Sequence, residues 1–259
     1  MPFANLPNAK IHYALTGDPS NPALIFSNSL GANFSMWNGQ TSAFEKQFRV
    51  LRYDTRGHGL SSVPPSPYSV SDLAADLLAL ADSLAIDQFH LCGLSLGGMI
   101  GMSIAMNSPA RLKKLILCNT AAKIGTQESW NTRIDTVRKQ GMREIAKATP
   151  ARWFTPAFQS IAPDVITSTV HSIESLNPDG YIGGCCAVRG FDARTELSQI
   201  HVPTLVISGT HDPATPPSDG RFLVDNIPGA RYTELNAAHI SCIEDALRFT
   251  AEALSFLTN

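Results

Sequence analysis

Ser95 lies at the centre of the run Gly93-Leu94-Ser95-Leu96-Gly97, a G-x-S-x-G pattern between a strand-like apolar stretch and a helix-like stretch of small residues. A serine hydroxyl is a weak nucleophile unless its surroundings activate it. On a tight strand-to-helix turn its oxygen is exposed, and the first N–H groups of the helix point at the group under attack. The pattern therefore predicts attack on a carbonyl by Ser95. The alternative is a glycine-rich turn with an incidental serine.

A serine nucleophile needs a general base, and the base needs an acid that orients it. His239 follows the last predicted strand and precedes the last predicted helix, so we expect it at the same sheet edge as Ser95. His12 and His90 lie within predicted strands and are interpreted as structural, while His58 lies in a turn. His239 is therefore the predicted base.

Two strands could deliver the acid to that edge of the sheet. The first is followed by Asn119, which carries no charge, and the second is followed by Asp212. Asp212 is the predicted acid, which gives the chain order serine, aspartate, histidine. Asp54 and Arg56 form a competing carboxylate and cation, and we interpret them as residues that brace a turn.

An oxyanion hole needs two N–H donors near the reacting carbonyl. We expect one from Leu96, the residue after the nucleophile, and the other from Leu30 in the loop that follows an early strand. Gly31 gives that loop an unusual backbone path. The sequence has neither a metal-ligand constellation nor a phosphate-binding loop, so it predicts chemistry without a metal or cofactor.

The composition limits the class of protein. The chain has 259 residues, of which 44% are hydrophobic and 16% charged, and its net charge is −2. Such a charge gives no bulk attraction to nucleic acid, and no apolar run is long enough to span a bilayer. The N-terminal residues lack the pattern of a signal peptide, and the five cysteines are interpreted as reduced thiols. We therefore expect a cytoplasmic enzyme without nucleic-acid or membrane partners, and the oligomeric state stays open.

Apolar strands alternate with helical stretches, which predicts an α/β fold with a mostly parallel eight-stranded sheet flanked by helices. The predicted strands cover residues 3–6, 10–16, 23–28, 48–53, 88–92, 114–118, 204–208 and 231–235. Helices are predicted at 71–84, with Ser69 and Asp72 as a capping box, at 96–106, and at 240–257.

One stretch interrupts the alternation. Residues 125–189 contain helical segments, at 130–140 and 163–175, but no convincing buried strand. We interpret 125–189 as a helical cap inserted into a core formed by 1–124 and 190–259. An insertion at the carboxyl edge of an open α/β sheet lies over the crevice where ligands bind, which predicts a lid.

These motifs resemble the α/β-hydrolase fold over nearly the whole chain, and within it the 3-oxoadipate enol-lactonase family. The resemblance is carried by Asn-Ser-Leu-Gly-Ala-Asn at 28–33, Arg-Tyr-Asp-Thr-Arg-Gly-His-Gly at 52–59 and Cys-Gly-Leu-Ser-Leu-Gly-Gly-Met at 92–99, and also by segments 209–217 and 237–241. Most α/β hydrolases carry His-Gly where this chain has Asn28-Ser29, a change that spares a hole built from backbone N–H groups. The resemblance implies hydrolysis of the enol-lactone of 3-oxoadipate in the β-ketoadipate pathway of bacterial aromatic catabolism.

The implied reaction assigns roles to the predicted residues. Ser95 attacks the lactone carbonyl and forms an acyl-enzyme, which water activated by His239 then hydrolyses. The substrate is a small carboxylated lactone, and an arginine of the cap is expected to bind its carboxylate.

Arg133 is the preferred anchor because Trp130 lies on the same helical face, and Trp153 is a further candidate for the pocket wall. The alternatives are a cap-to-core salt bridge for Arg133 and simple packing for Trp153. We expect most of the remaining arginines of the insertion to be solvated.

Three rival functions stay open. A general carboxylesterase or a carbon–carbon bond hydrolase of the same fold would use the same triad. A non-catalytic small-molecule receptor could also retain it. A haloalkane dehalogenase is disfavoured because its nucleophile is an aspartate, whereas position 95 is serine.

Overall fold

The computed structural model describes residues 2–259, and its core is one eight-stranded sheet. The strands are β1 (Phe3–Asn5), β2 (Lys10–Thr16), β3 (Ala23–Ser27), β4 (Arg49–Tyr53), β5 (Phe89–Leu94), β6 (Leu112–Cys118), β7 (Thr204–Gly209) and β8 (Arg231–Leu235). Their order across the sheet is β1-β2-β4-β3-β5-β6-β7-β8. β2 pairs antiparallel with β1 and β4, and all other pairs are parallel.

Helices cover both faces of this sheet. They are α1 (Asn38–Phe44), α2 (Val70–Ser83), α3 (Leu96–Asn107), α4 (Gln127–Gln140), α5 (Arg143–Trp153), α6 (Pro156–Ile161), α7 (Pro163–Glu174), α8 (Pro178–Gly190), α9 (Pro217–Asn226), α10 (Ser241–Glu244) and α11 (Ala246–Thr258). Short 3-10 helices lie at Phe34–Trp37, Pro109–Arg111 and Leu197–Gln199. No helix among residues 2–259 is long and apolar enough to cross a membrane.

The predicted fold class is confirmed, and each predicted strand is present with its ends shifted by a few residues at most. The central strands β3, β5 and β7 are buried along their whole length because helices pack on both faces of the sheet. The predicted capping box at the start of α2 is also confirmed: the Ser69 hydroxyl accepts the Asp72 N–H at 3.1 Å, and Asp72 accepts the Ser69 N–H at 2.8 Å.

The prediction of one closing helix at 240–257 is wrong. The structure has α10 and α11 there, separated at Asp245, whose φ of −121° and ψ of 54° are not helical. The sequence analysis also missed α9, which begins directly after Pro216 with Pro217 at its first position. Proline is favoured there because the first N–H of a helix needs no partner within the helix.

Five helices, α4 to α8, lie between β6 and β7, and we call them the cap helices. Within this group α4 packs on α8, and α5 packs on α7. The backbones of Gly57 and Gly180 are in close contact where α8 meets the core. The approach is so close that a Cβ atom on either glycine would collide with the backbone of the other. The division of the chain into a core and a separate cap at 125–189 stays a prediction.

Candidate active site

Ser95 occupies a strained turn between β5 and α3. Its φ of 58° and ψ of −112° lie outside the regions that most residues adopt, and strain of this kind is typical of functional positions. Neighbouring strands hold the turn: the Ser95 N–H donates to the Cys118 carbonyl at 2.9 Å, and the Thr120 hydroxyl donates to the Ser95 carbonyl at 2.8 Å. The side chain is therefore fixed at the carboxyl edge of the sheet.

The positions of Gly93 and Gly97, on either side of Ser95, have no room for a side chain. A Cβ atom on Gly93 would collide with the backbone carbonyl of Gly97, and a Cβ atom on Gly97 would collide with that of Ser27. Since both obstacles are backbone atoms in paired elements, neither can move aside cheaply. The Gly97 N–H also donates to the Asn28 carbonyl at 3.0 Å, which ties α3 to the loop after β3.

Replacing Gly97 with alanine is expected to destabilise the protein and disable the site. Overpacking of this kind costs about 1–3 kcal/mol, and the displaced backbone would carry Ser95 with it. Thermal unfolding and hydrolysis assays would measure the two effects. Gly39→Ala in α1 is the matched control, because a Cβ atom there meets nothing within 4 Å. Equal behaviour of the two variants would contradict this account.

His239 and Asp212 meet directly at the same edge. His239 Nδ1 lies 2.8 Å from Asp212 Oδ2, and both side chains are buried. The remaining acceptor sites of Asp212 are also used. Oδ1 accepts the N–H groups of Ala214 at 2.8 Å and Thr215 at 3.1 Å, while Oδ2 accepts the Thr215 hydroxyl at 2.7 Å. This carboxylate can therefore hold the buried imidazole of His239 in one orientation.

The charge of Asp212 is stabilised by its partners. Burial alone would raise the pKa of this carboxyl, but the attraction of His239 and the hydrogen bonds from His239 and Thr215 lower the pKa to about 2. Asp212 is therefore ionised at every pH at which hydrolysis would be assayed.

Asn119 is a site residue whose role the sequence analysis missed. Its side-chain N–H group donates to Asp212 Oδ2 and to the Ala238 carbonyl, both at 3.1 Å, and its oxygen accepts the Ser241 hydroxyl at 2.6 Å. At this position, which the sequence analysis considered for the acid, a neutral amide braces Asp212 and the segment around His239. Its place after β6 was the only signal in the sequence.

Ser95 and His239 line the same small cavity, of about 30 Å³. No hydrogen bond joins their side chains within the described part of the chain. Catalytic hydrogen bonds are often long in a site without substrate and shorten in the complex. Leu30 also lines this cavity, and Leu96 is the first residue of α3. Within residues 2–259 neither of these two N–H groups donates to another residue, so both are free for an oxyanion.

The predicted cap residues Arg133 and Trp130 line the cavity as well. The Arg133 guanidinium lies 5.2 Å from the centroid of the Trp130 ring and donates to the Tyr181 hydroxyl at 3.1 Å. Burial raises the pKa of Tyr181 to about 12, so that this hydroxyl stays neutral. Trp130 in turn donates its ring N–H to the Ile124 carbonyl at 2.6 Å. These contacts fix the position of Arg133 above the serine.

Arg152 lies in the same cavity, directly before Trp153, which lines it too. Arg152 is an exposed residue, so its side chain borders both the cavity and the solvent. Partial burial lowers its pKa, and the charge of Arg133 lowers it further. Across the described chain Arg152 has no hydrogen-bond or ion-pair partner. The sequence analysis expected most of the cap arginines other than Arg133 to be solvated. Arg152 is exposed and also lines this cavity, which only its adjacency to Trp153 could have signalled.

Trp153 separates the catalytic cavity from a larger groove of about 400 Å³. The groove lies between segment 31–38, which follows Leu30, and helix α7, and the Trp153 side chain lines both spaces. Ile240, the residue after His239, forms part of its wall. The groove thus borders the catalytic cavity on the side of the base.

The competing candidates have other partners. Asp54 accepts hydrogen bonds from His12 at 2.7 Å and from the Phe34 N–H at 2.8 Å, and Arg56 forms a two-pronged pair with Asp76. None of these residues lines the catalytic cavity. Within residues 2–259 no group of three or more His, Cys, Asp or Glu side chains could hold a metal ion. The absence of a cofactor stays a prediction.

The chain is similar to several known proteins. Residues 22–150 match the family model of the alpha/beta hydrolase fold. The chain is 42% identical to 3-oxoadipate enol-lactonase 2 of Acinetobacter baylyi, with 92% of this chain and 90% of that protein aligned. It is 35% identical to 3-oxoadipate enol-lactonase 1 of the same organism, over 91% of this chain and 88% of that protein. The crystal structure of the enol-lactonase from Burkholderia xenovorans LB400 matches over 100% of both chains, with a TM-score of 0.98 and 43% identity.

Proposed function

Because the chain belongs to the 3-oxoadipate enol-lactonase family of α/β hydrolases, we propose that it hydrolyses the enol-lactone of 3-oxoadipate to 3-oxoadipate in bacterial aromatic catabolism. The chain is a hydrolase, and the proposal concerns its substrate, its triad and its acyl-enzyme. The single observation that carries the proposal is the pair of guanidinium groups, Arg133 and Arg152, in the cavity that also holds Ser95 and His239. A serine nucleophile beneath two cations suits an ester that carries its own carboxylate.

The triad acts through named atoms. His239 Nε2 removes the proton of Ser95 Oγ as that oxygen bonds to the lactone carbonyl carbon, and the N–H groups of Leu30 and Leu96 stabilise the oxyanion. When the tetrahedral intermediate collapses, the ring C–O bond breaks and the ring oxygen leaves as an enolate, a better leaving group than an alkoxide. The enolate takes up the proton from the His239 imidazolium and becomes an enol, which returns the imidazole to its neutral form. Asp212 holds the imidazole and stabilises its cationic form.

The second half of the reaction uses the same groups. His239 removes a proton from water, whose oxygen attacks the acyl-enzyme carbonyl. The bond to Ser95 Oγ then breaks, and the imidazolium returns the proton to that oxygen. The enol of the product isomerises to the ketone, which gives the oxo-acid. All of these steps use side chains and backbone groups that meet at one edge of the sheet.

The size of the cavity bears on how the substrate reaches Ser95. About 30 Å³ holds a water molecule but not a six-carbon lactone. We therefore propose that the cap helices, or the partner-free Arg152 side chain, shift outward to admit the substrate. The 400 Å³ groove beyond Trp153 is the proposed route of access.

Alanine replacement of the cavity arginines is expected to separate carboxylated from neutral substrates. Hydrogen bonds to a charged group contribute about 1.5–3 kcal/mol, so Arg152→Ala or Arg133→Ala should raise KM for the lactone about 10- to 100-fold. KM for an uncharged aryl ester should stay unchanged. Arg143→Ala is the matched control, since Arg143 is an exposed arginine on the same helix as Arg152 and lines neither cavity. Equal losses on both substrates would refute the anchor.

The direct test of the proposed function is the loss of the enol-lactone ultraviolet absorbance on addition of purified protein, compared with release of a chromophore from a simple aryl ester. We expect kcat/KM to favour the lactone. A preference for the aryl ester would support the general carboxylesterase. If no ester or carbon–carbon bond is cleaved, and a ligand instead changes binding to a partner, the receptor alternative would replace the proposal.

The place of the enzyme in the cell is a further part of the proposal. We propose a cytoplasmic location, and the five free cysteines support it because reduced thiols are typical of reducing compartments. Four of these cysteines are buried and one is partly buried.

A further inference from the structure

Glu244 connects two parts of the site that the mechanism treats separately. Its Oε2 accepts the N–H of Ala238, the residue before His239, at 2.8 Å. Its Oε1 accepts the N–H of Thr155 at 3.1 Å and also the Thr155 hydroxyl. Thr155 caps α6, two residues after Trp153. One carboxylate therefore holds the segment of the base and the α5–α6 junction of the cap together.

A second contact reinforces this connection on the other side of the base. The N–H of Ile240, the residue after His239, donates to the Trp153 carbonyl at 3.1 Å. His239 is thus flanked by two backbone N–H groups that are linked to the α5–α6 junction, that of Ile240 directly to Trp153 and that of Ala238 through Glu244 to Thr155. The same end of α5 carries Arg152 and Trp153 into the catalytic cavity. A shift of the cap helices relative to the core would therefore move the imidazole of His239.

An ordinary stabilising ion pair does not account for Glu244. The side chain is half-buried, and in the part of the chain that the structure describes it forms no salt bridge with Lys, Arg or His. Its partners are neutral N–H and O–H donors that reach both of its oxygens, which a neutral amide with one acceptor oxygen could not satisfy together. A carboxylate gives these hydrogen bonds greater strength and fixes their geometry, because both of its oxygens accept. The two-sided hydrogen bonding of Glu244 therefore suits a side chain that fixes the segment around Ala238 relative to Thr155.

We propose that Glu244 is a positioning residue that sets His239 relative to the cap, so that the imidazole reaches its working position when Arg152 and Trp153 are seated over Ser95. The inference rests on the proposed function, since it takes His239 as the base. Glu244 does not touch the substrate. A misplacement of a catalytic group by about 1 Å can reduce the rate about 100-fold, so a remote hydrogen bond can have a large effect on turnover.

The test compares Glu244→Ala with Glu244→Gln on the enol-lactone and on a neutral aryl ester. We expect Glu244→Ala to lower kcat about 30- to 100-fold on both substrates, because His239 acts on both. Glutamine should recover part of the loss, since its oxygen can accept the Ala238 N–H while its NH₂ group, which can donate to the Thr155 hydroxyl, opposes the Thr155 N–H. Glu252→Ala in α11 is the matched control: Glu252 forms no side-chain hydrogen bond within residues 2–259, and its replacement should leave kcat unchanged.

A double-mutant cycle with Thr155→Val separates positioning from stability. Thr155→Val removes the hydroxyl contact with Glu244, together with the α6 cap that the hydroxyl forms with the Phe158 N–H at 3.2 Å, but it keeps both backbone contacts of Glu244, so it should lower kcat by a smaller factor. The double variant should be no slower than Glu244→Ala alone, because the two side chains act through one contact. Thermal unfolding of each variant establishes that the assays are made on folded protein.

Two results would overturn the inference. One is a rise in KM for the lactone alone with kcat unchanged, which would make Glu244 a support of the cap without influence on the base. The other is a lower melting temperature with unchanged kcat on both substrates, which would make its role purely structural. Failure of the proposed function would look different, because the unmodified enzyme would then prefer the aryl ester or hydrolyse neither substrate.

Discussion

Replacing Ser95 with alanine is expected to lower kcat on the enol-lactone by about 10⁵-fold or more, with little change in the melting temperature. Removal of a serine nucleophile abolishes the acyl-enzyme route and leaves only direct attack by water, which the oxyanion donors still assist. The fold should tolerate the change because the Ser95 side chain forms no hydrogen bond within the described residues. The backbone contacts of the turn, to Cys118 and Thr120, do not involve the hydroxyl.

Ser103→Ala provides the matched control. Ser103 is a buried serine on the same helix, α3, and does not line the catalytic cavity. Its replacement should leave kcat within about twofold of the unmodified enzyme. A sulfonyl fluoride should add one sulfonyl group to the unmodified enzyme and to Ser103→Ala, but none to Ser95→Ala, by mass spectrometry of the intact protein. Near-normal lactone hydrolysis by Ser95→Ala would refute the nucleophile and the acyl-enzyme together.

The sheet was predictable because its signal is local. Strands β3, β5 and β7 are buried on both faces, so their sequences are short continuous apolar runs that end where turn residues begin. The turn at Ser95 was equally predictable from the sequence, since the need for small residues at Gly93 and Gly97 follows from the turn itself. Such features depend on neighbours in sequence, and one chain is enough to show them.

The errors arose where distant contacts decide the structure. The apolar pattern of 240–257 continues through Asp245, yet the chain breaks there. Glu244, directly before the break, is bonded to Thr155 in the cap, 89 residues away in sequence. The reason that α9 was missed is local instead: Pro216-Pro217 is compatible with a turn as well as with the start of a helix, and in the structure the second proline begins a helix.

The same limit applies to the candidate site. Ser95, Asp212 and His239 were chosen from their places at strand ends, which topology alone brings to one edge. Arg152 and Asn119 could not be chosen in that way. The place of Arg152 depends on how α5 lies over the sheet, and the contacts of Asn119 reach Asp212, 93 residues later in sequence. The roles of all these residues are proposals that the variants described here would test.

Replacing Asp212 with asparagine is expected to lower kcat about 10⁴-fold, because the asparagine favours the tautomer of His239 that cannot act as a base toward Ser95. In the proposed mechanism the carboxylate accepts the Nδ1 proton, which leaves Nε2 free to receive the proton of Ser95. An asparagine must direct its NH₂ group toward one of the two oxygen positions. At the Oδ1 position it would oppose two backbone donors, the N–H groups of Ala214 and Thr215.

The NH₂ group therefore takes the Oδ2 position and faces His239 Nδ1. There it opposes one fixed donor, the Asn119 amide, instead of the two backbone donors at the Oδ1 position. The Thr215 hydroxyl can rotate to accept from the NH₂ group, and the imidazole can become an acceptor at Nδ1 only if its proton moves to Nε2. An Nε2–H cannot accept the proton of Ser95, so the base is lost although the side-chain shape is kept. Since the pKa of Asp212 is held near 2, no assay above pH 4 would reproduce this loss by protonation of the unmodified enzyme.

Asp219→Asn is the matched control for this variant. Asp219 lies seven residues after Asp212 at the start of α9, and burial together with the charge of Asp212 raises its pKa. It makes no contact with His239, so its replacement should leave kcat within about twofold of the unmodified enzyme. If Asp212→Asn also stays within tenfold, Asp212 is not the acid of the triad. The imidazole would then have to be oriented by the backbone contacts on either side of it, those of Ala238 and Ile240, and the loss on Glu244→Ala should exceed the loss on Asp212→Asn.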